Sequence, residues 1–162
     1  MEIQGKRVLV LGGAGLVGMA ICHQLIQHKP AKIIVSSLQE SEALEACEIL
    51  SSTAHQVEIL PEFGNIFVRA ELKDYSWQAI LDKPDLRAML IQDNLEDLSP
   101  SGLQASFLYQ LLCRHHPHIV IDCVNSATGV AYQDIFSASF KVRKSMTRVR
   151  QNDGCQIGRA HV

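Results

Sequence analysis

The chain has no apolar run approaching the ~20 residues of a membrane-spanning helix. Its start, with Glu2 and a strand signal by Val8, lacks the long apolar core of a secretory leader. These absences predict a cytoplasmic protein with no membrane partner. The five cysteines (Cys22, Cys47, Cys113, Cys123 and Cys155) contain no C-x-x-C pair, which favours reduced thiols over a disulfide framework or a zinc site. No Ser/His/Asp, paired-carboxylate or cysteine arrangement offers catalytic machinery, so no catalytic residue is assigned. Aromatic residues are only 6% of the chain. The net charge of −2 conceals −7 over residues 1–140 and +5 over residues 141–162. That basic end has no interleaved aromatics, and a solvated segment is expected there, with no nucleic-acid partner.

What the chain does have begins at Val8-Leu9-Val10-Leu11, a continuous apolar run suited to a strand buried on both faces of a parallel sheet. Gly12-Gly13-Ala14-Gly15-Leu16-Val17-Gly18 follows and leads into an amphipathic segment. Gly12 or Gly13 can take backbone angles closed to other residues, Gly15 lets the main chain approach a pyrophosphate, and Gly18 lets the helix pack close to the strand. Free N–H groups at the helix start then face the phosphates. The spacing admits two parses, Gly13/Gly15/Gly18 and Gly12/Gly15/Gly18, and both make residues 12–18 the predicted cofactor cradle.

Leu16 to about Lys29 carries apolar residues at helical spacing, and Lys32 to Ser37 reads as the second parallel strand. An NAD site usually places Asp or Glu about 20 residues beyond the glycines to accept ribose hydroxyls. Here the position is Ser36-Ser37-Leu38, without that carboxylate and without an arginine, which leans slightly towards NADP, with Ser36 and Ser37 as ribose-side contacts. Glu40 to Ser51 is expected to be a helix with one acidic, solvated face. A third strand is expected at 56–60 in preference to Ile66-Phe67-Val68, and helical pieces at 75–81, 84–93 and 99–114. Trp77 and Tyr109 are expected to anchor packing. His115, His116 and His118 suggest a metal, but adjacent histidines in a turn with no nearby acid favour an exposed loop, and no metal is expected. Ile119 to Asn125 reads as the fourth strand, giving the order 3-2-1-4 in a doubly wound α/β Rossmann-type sheet that is incomplete on its C-terminal side.

The stretch Leu11 to Gly18 resembles the opening of the extended short-chain dehydrogenase/reductases, the superfamily of nucleotide-sugar epimerases and dehydratases. The resemblance implies that Asn65, within Gly64-Asn65-Ile66, stands where the family has an acid that contacts adenine. It implies that Asn125-Ser126-Ala127 lines the cofactor beside the glycine turn. Asn125 either supports the strand end or contacts the ribose. Gly64 to Arg69 and Ile121 to Asp134 are similar to a group of large bacterial short-chain-dehydrogenase-like proteins. The implied function is an NAD(P)-dependent oxidoreductase, or an epimerase/dehydratase, acting on an alcohol, carbonyl or sugar substrate, with a possible homodimer at full length. The alternatives are a non-catalytic NAD(P)-sensing or scaffold protein, and a Rossmann protein of another class such as a methyltransferase, which would bind S-adenosylmethionine. The family's Tyr-x-x-x-Lys pair is missing: the residues four after Tyr75, Tyr109 and Tyr132 are Ala79, Cys113 and Phe136.

Ile157-Gly158-Arg159-Ala160-His161-Val162 is the translation, in one frame, of a widely used sequencing adapter, and the preceding adapter bases complete a codon for Gln156. Residues 1–140 are therefore expected to form the N-terminal part of an NAD(P)-binding domain. Residues 141–155 would open a missing remainder, and residues 156–162 would be an artefact.

Overall fold

In the computed structural model, which describes residues 2–54, 56–124 and 141–147, the first strand β1 (Arg7–Leu11) is enclosed on both sides. Val8, Leu9 and Val10 have no exposed surface, as the continuous apolar run requires. The chain then forms α1 (Leu16–Gln27), β2 (Lys32–Ser37), α2 (Glu40–Ser51) and β3 (Glu58–Phe63). Four helices follow, α3 (Trp77–Asp82), α4 (Pro84–Leu95), α5 (Pro100–Ala105) and α6 (Phe107–His115), and then β4 (Ile119–Asp122). All pairings are parallel and the sheet order is β3-β2-β1-β4, with Leu9 opposite Ile34 on one side and Val120 on the other. This is the α/β Rossmann-type sheet expected from the sequence.

Alternation along the central strands divides the core into two layers. Val8, Val10, Ile33 and Val35 pack with Cys22 and Leu25 of α1 and with Ala46, Cys47 and Leu50 of α2. Leu9, Leu11 and Ile34 point to the other face and meet Phe107 and Leu111 of α6. A third, smaller cluster of Val68, Leu72 and Ile80 supports the helical material between β3 and α6.

The middle of the chain departs from the expected boundaries. The third strand runs to Phe63 and includes Pro61, three residues past the expected end. Pro61 is paired with Val35 of β2, and β3 is the last strand of the sheet on that side, so its missing N–H costs no second ladder. The single helix expected over 99–114 is two helices. Ser106 breaks it, adopting φ −59° and ψ 131° and pairing with Arg69 in an antiparallel bridge. The Phe107 N–H is thereby donated to Val68 at 3.1 Å, and the Ser106 hydroxyl accepts from the Tyr109 N–H to start α6. The fourth strand ends at Asp122, whose carboxylate accepts the Val124 N–H at 2.8 Å and turns the chain; Asn125 lies outside the described residues.

Candidate functional site

The parallel sheet brings the carboxyl ends of β1, β2 and β3 to one edge, and a cleft of about 1020 Å³ opens there. Its walls come from the turn after β1, the end of β2, the start of α2, the segment after β3 and the chain just past β4. A doubly wound sheet places its ligands at this edge, between the two strands where the order reverses.

The glycines divide the work of the turn. Gly12 takes φ +71°, and a Cβ there would meet the Cys123 carbonyl at 3.2 Å, so the turn lies directly against the chain leaving β4. The Gly13 N–H donates to the Ser36 carbonyl at 2.8 Å, tying the turn to β2. Gly18 lies so close beneath the turn that a Cβ would stand 2.2 Å from the Gly12 carbonyl oxygen. Gly15 differs: a Cβ there would touch nothing closer than 3.4 Å, and the residue faces the cleft. A Cβ on Gly13 would also be crowded, 2.9 Å from Val35 Cγ1 and 3.0 Å from the Val10 carbonyl oxygen, so both Gly12 and Gly13 are required as glycine and both parses remain.

Helix α1 begins at once. Its N-cap is Gly15, which has no side chain to cap the helix, and its first turn contains no acid. The N–H groups of Leu16, Val17 and Gly18 belong to the first turn, where no intrahelical acceptor exists. Leu16 and Val17 expose their side chains rather than covering those donors. The start of α2 is different, since Glu40 and Glu42 occupy its first turn and offset its positive end. Among the described residues, the start of α1 is thus the positive helix end beside the cleft with no acid in its first turn.

Ser36 and Ser37 are buried at the end of β2 and line the cleft. The strand end itself, Ser36-Ser37-Leu38, carries no carboxylate. The fold supplies one, because the first turn of α2 carries Glu42 back to the strand end, where its Oε2 accepts from the Ser37 hydroxyl at 2.6 Å. Asn65 also lines the cleft; its side-chain oxygen accepts the Phe67 N–H at 3.0 Å, leaving the amide NH₂ as its remaining donor. Asn125, Ser126 and Ala127 lie outside the described residues.

Sequence reasoning missed the outer wall. Trp77, expected to anchor packing, is 53% exposed and lines the cleft with Tyr75 and Phe67. Lys73 stands among them, its Nζ gripped by both oxygens of Asp74 at 2.6 and 2.8 Å and lying 4.3 Å above the Phe63 ring. Three aromatics within the thirteen residues after Gly64 were the available signal, and only the exposure of Trp77 reveals its use.

The histidine cluster serves the far end of the sheet. The Arg7 side chain donates to the His115 and His116 carbonyls, His118 Nδ1 accepts the Arg7 N–H at 3.1 Å, and His116 ends α6 at φ 44°. An acid does lie close, contrary to expectation: Glu62 Oε1 is 2.6 Å from His115 Nε2.

A scan against protein families matches residues 8–91, just over half of the chain, to the NAD dependent epimerase/dehydratase family. No curated protein matches the sequence. Among solved structures, the chain is similar to Pen from Bacillus thuringiensis, at 16% identity and a TM-score of 0.40, over 75% of this chain and 39% of that one. It is similar to a doubly substituted Serratia marcescens short-chain dehydrogenase/reductase, at 17% identity and a TM-score of 0.41, over 94% of this chain and 70% of that one. A blue fluorescent protein from a metagenomic library, in complex with NADPH, aligns at 15% identity and a TM-score of 0.39, over 94% of this chain and 70% of its own. The chain thus spans 39% of the length of the Bacillus protein. The family match contains β1, the glycine turn, α1, β2, α2 and β3, the elements that build most of the cleft, and the chain belongs to the NAD dependent epimerase/dehydratase family.

Proposed function

We propose that the cleft binds a nicotinamide dinucleotide, and that the protein is the cofactor-binding part of an oxidoreductase or epimerase/dehydratase acting on an alcohol, carbonyl or sugar carbon. One observation carries this reading. Gly15 leaves an open approach to the first turn of α1, which has no capping side chain and contains no acid. A pyrophosphate matches the N–H donors of that turn in charge and geometry.

The described residues suit the pyrophosphate and adenosine parts of the cofactor. Gly15 leaves the approach open, and the main-chain N–H groups of Leu16, Val17 and Gly18 take the pyrophosphate. Ser36, Ser37 and the neighbouring Glu42 face the adenosine ribose, and Asn65 presents its amide to an adenine edge. Asn125, Ser126 and Ala127 belong to the same proposal, past β4 on the nicotinamide side. When bound, the nicotinamide supplies or accepts hydride, and the chain's contribution is to hold it in place. No catalytic residue is assigned, since no tyrosine here is followed by a lysine at the fourth position. A cytoplasmic setting accords with the free thiols of Cys22 and Cys47.

Titration of the chain with NADH, NADPH and S-adenosylmethionine, followed by calorimetry, tests the reading. Saturable binding of a dinucleotide, with S-adenosylmethionine at least tenfold weaker, is expected. A folded sample that binds neither dinucleotide, or prefers S-adenosylmethionine, overturns it.

A further inference from the structure

Resting on the dinucleotide reading, we propose that Glu42 selects NAD over NADP, its carboxylate accepting the adenosine-ribose hydroxyls while Ser37 holds it in position. The residue is five positions beyond the strand end where such an acid is ordinarily sought, and the start of α2 returns it to that point. Its Oε2 accepts from Ser37 Oγ at 2.6 Å, and both side chains line the cleft that contains Gly12 and Gly15.

The hydrogen-bond inventory decides the preference. A serine hydroxyl has one proton, and Ser37 directs it to Glu42. Ser37 therefore offers an incoming group lone pairs only. Glu42 keeps Oε1 and the remaining lone pairs of Oε2, all of them acceptors. A ribose diol donates two protons and satisfies such a site. A 2′-phosphate brings acceptor oxygens and close to two negative charges, and it faces a carboxylate.

No cation among the described lining residues offsets that repulsion. The described cleft wall contains no arginine, and its lysine, Lys73, already has its ammonium on both Asp74 oxygens. Gln39, the other polar neighbour at the start of α2, is neutral. Glu42 is itself solvent-exposed, so its free oxygen is open to a ligand entering the cleft.

The test is fluorescence titration of NADH and NADPH on the full chain, on Glu42→Gln and on Ser37→Ala. The unaltered chain is expected to bind NADH at least tenfold more tightly than NADPH. E42Q, an isosteric change at an exposed position, is expected to weaken NADH and strengthen NADPH so that the ratio falls about tenfold, and S37A is expected to move it the same way by less. Equal or tighter NADPH binding by the unaltered chain overturns the proposal whether or not a variant folds. So does an unchanged ratio in E42Q. In both cases a dinucleotide still binds and the cofactor reading stands. Failure of both nucleotides to bind any of the three proteins overturns that reading and this one together.

Discussion

The position of a Cβ on Gly18 lies 2.2 Å from the carbonyl oxygen of Gly12, so the first helix and the cofactor turn are locked together at a distance only glycine permits. Gly15, midway between them, has no such neighbour. Substitution separates the two roles. Gly18→Ala should destabilise the fold by about 1–3 kcal/mol, because the added methyl must displace main chain rather than a side-chain tip. Gly15→Val should keep its helical content, since φ −72° and ψ 169° suit an ordinary residue, yet lose dinucleotide binding. Urea denaturation followed by circular dichroism, with a cofactor titration on each variant, checks both.

Arg69 joins the segment after β3 to α4 through a two-pronged ion pair, with Nε 2.7 Å from one Asp93 oxygen and an Nη atom 2.6 Å from the other. Both side chains are mostly shielded from solvent, and the Asp93 hydrogen bonds, opposed by partial burial and assisted by Glu71, raise the guanidinium pKa further. Lysine cannot reproduce the fork. Arg69→Lys should lower stability by about 1–2 kcal/mol in denaturant unfolding. Arg143→Lys, at a more exposed pair with Glu96, should change it by less than about 0.5 kcal/mol.

His118 gives the fold a pH dependence. Its Nδ1 accepts the Arg7 main-chain N–H, which requires that nitrogen to be unprotonated. Partial desolvation, then the charges of Arg7 and Lys6, hold its pKa below the ordinary histidine value. The unfolded chain therefore binds the proton more readily. The resulting stability is complete above about pH 6.5 and is lost as pH falls through the window down to the lowered folded value. Thermal unfolding between about pH 5 and 7 should show this slope, and His118→Asn, which does not titrate, should flatten it.

The thiols should differ in reactivity. Burial, with lesser effects from Cys123 and Cys47, pushes the Cys22 thiol up to about 12, and burial pushes Cys47 up to about 11. Cys113 is exposed on α6. Iodoacetamide at about pH 8 should label Cys113 in the native protein, and label Cys22 and Cys47 only after denaturation, as read by peptide mass spectrometry.

How much of this was visible in the sequence depends on the range of the forces involved. β2 and α2 were legible to the residue, because an unbroken apolar run and a helix with one acidic face are local signals. The glycine turn was legible because a strand precedes it and a helix follows. The break at Ser106 was not, since it depends on a bridge to Arg69, far away in the chain. Pro61 looked like the end of a strand because nothing local says that β3 has a neighbour on one side only. Trp77 has the chemistry of a core residue, and only its surroundings make it part of a cleft wall. Glu42 was hidden for the same reason: sequence spacing set it among the solvated acids of α2, and three-dimensional placement turned it towards Ser37.

The central claim, that the start of α1 holds a dinucleotide pyrophosphate, is tested most directly by amide NMR on ¹⁵N-labelled protein titrated with NADH. The account predicts saturable shifts concentrated at the N–H groups of Gly15, Leu16, Val17 and Gly18, with smaller shifts at Ser36 and Ser37, and their loss in Gly15→Val. Amides of residues 15–18 that do not move at saturating NADH, or shifts confined to another surface such as that around Arg69 and Asp93, would contradict it.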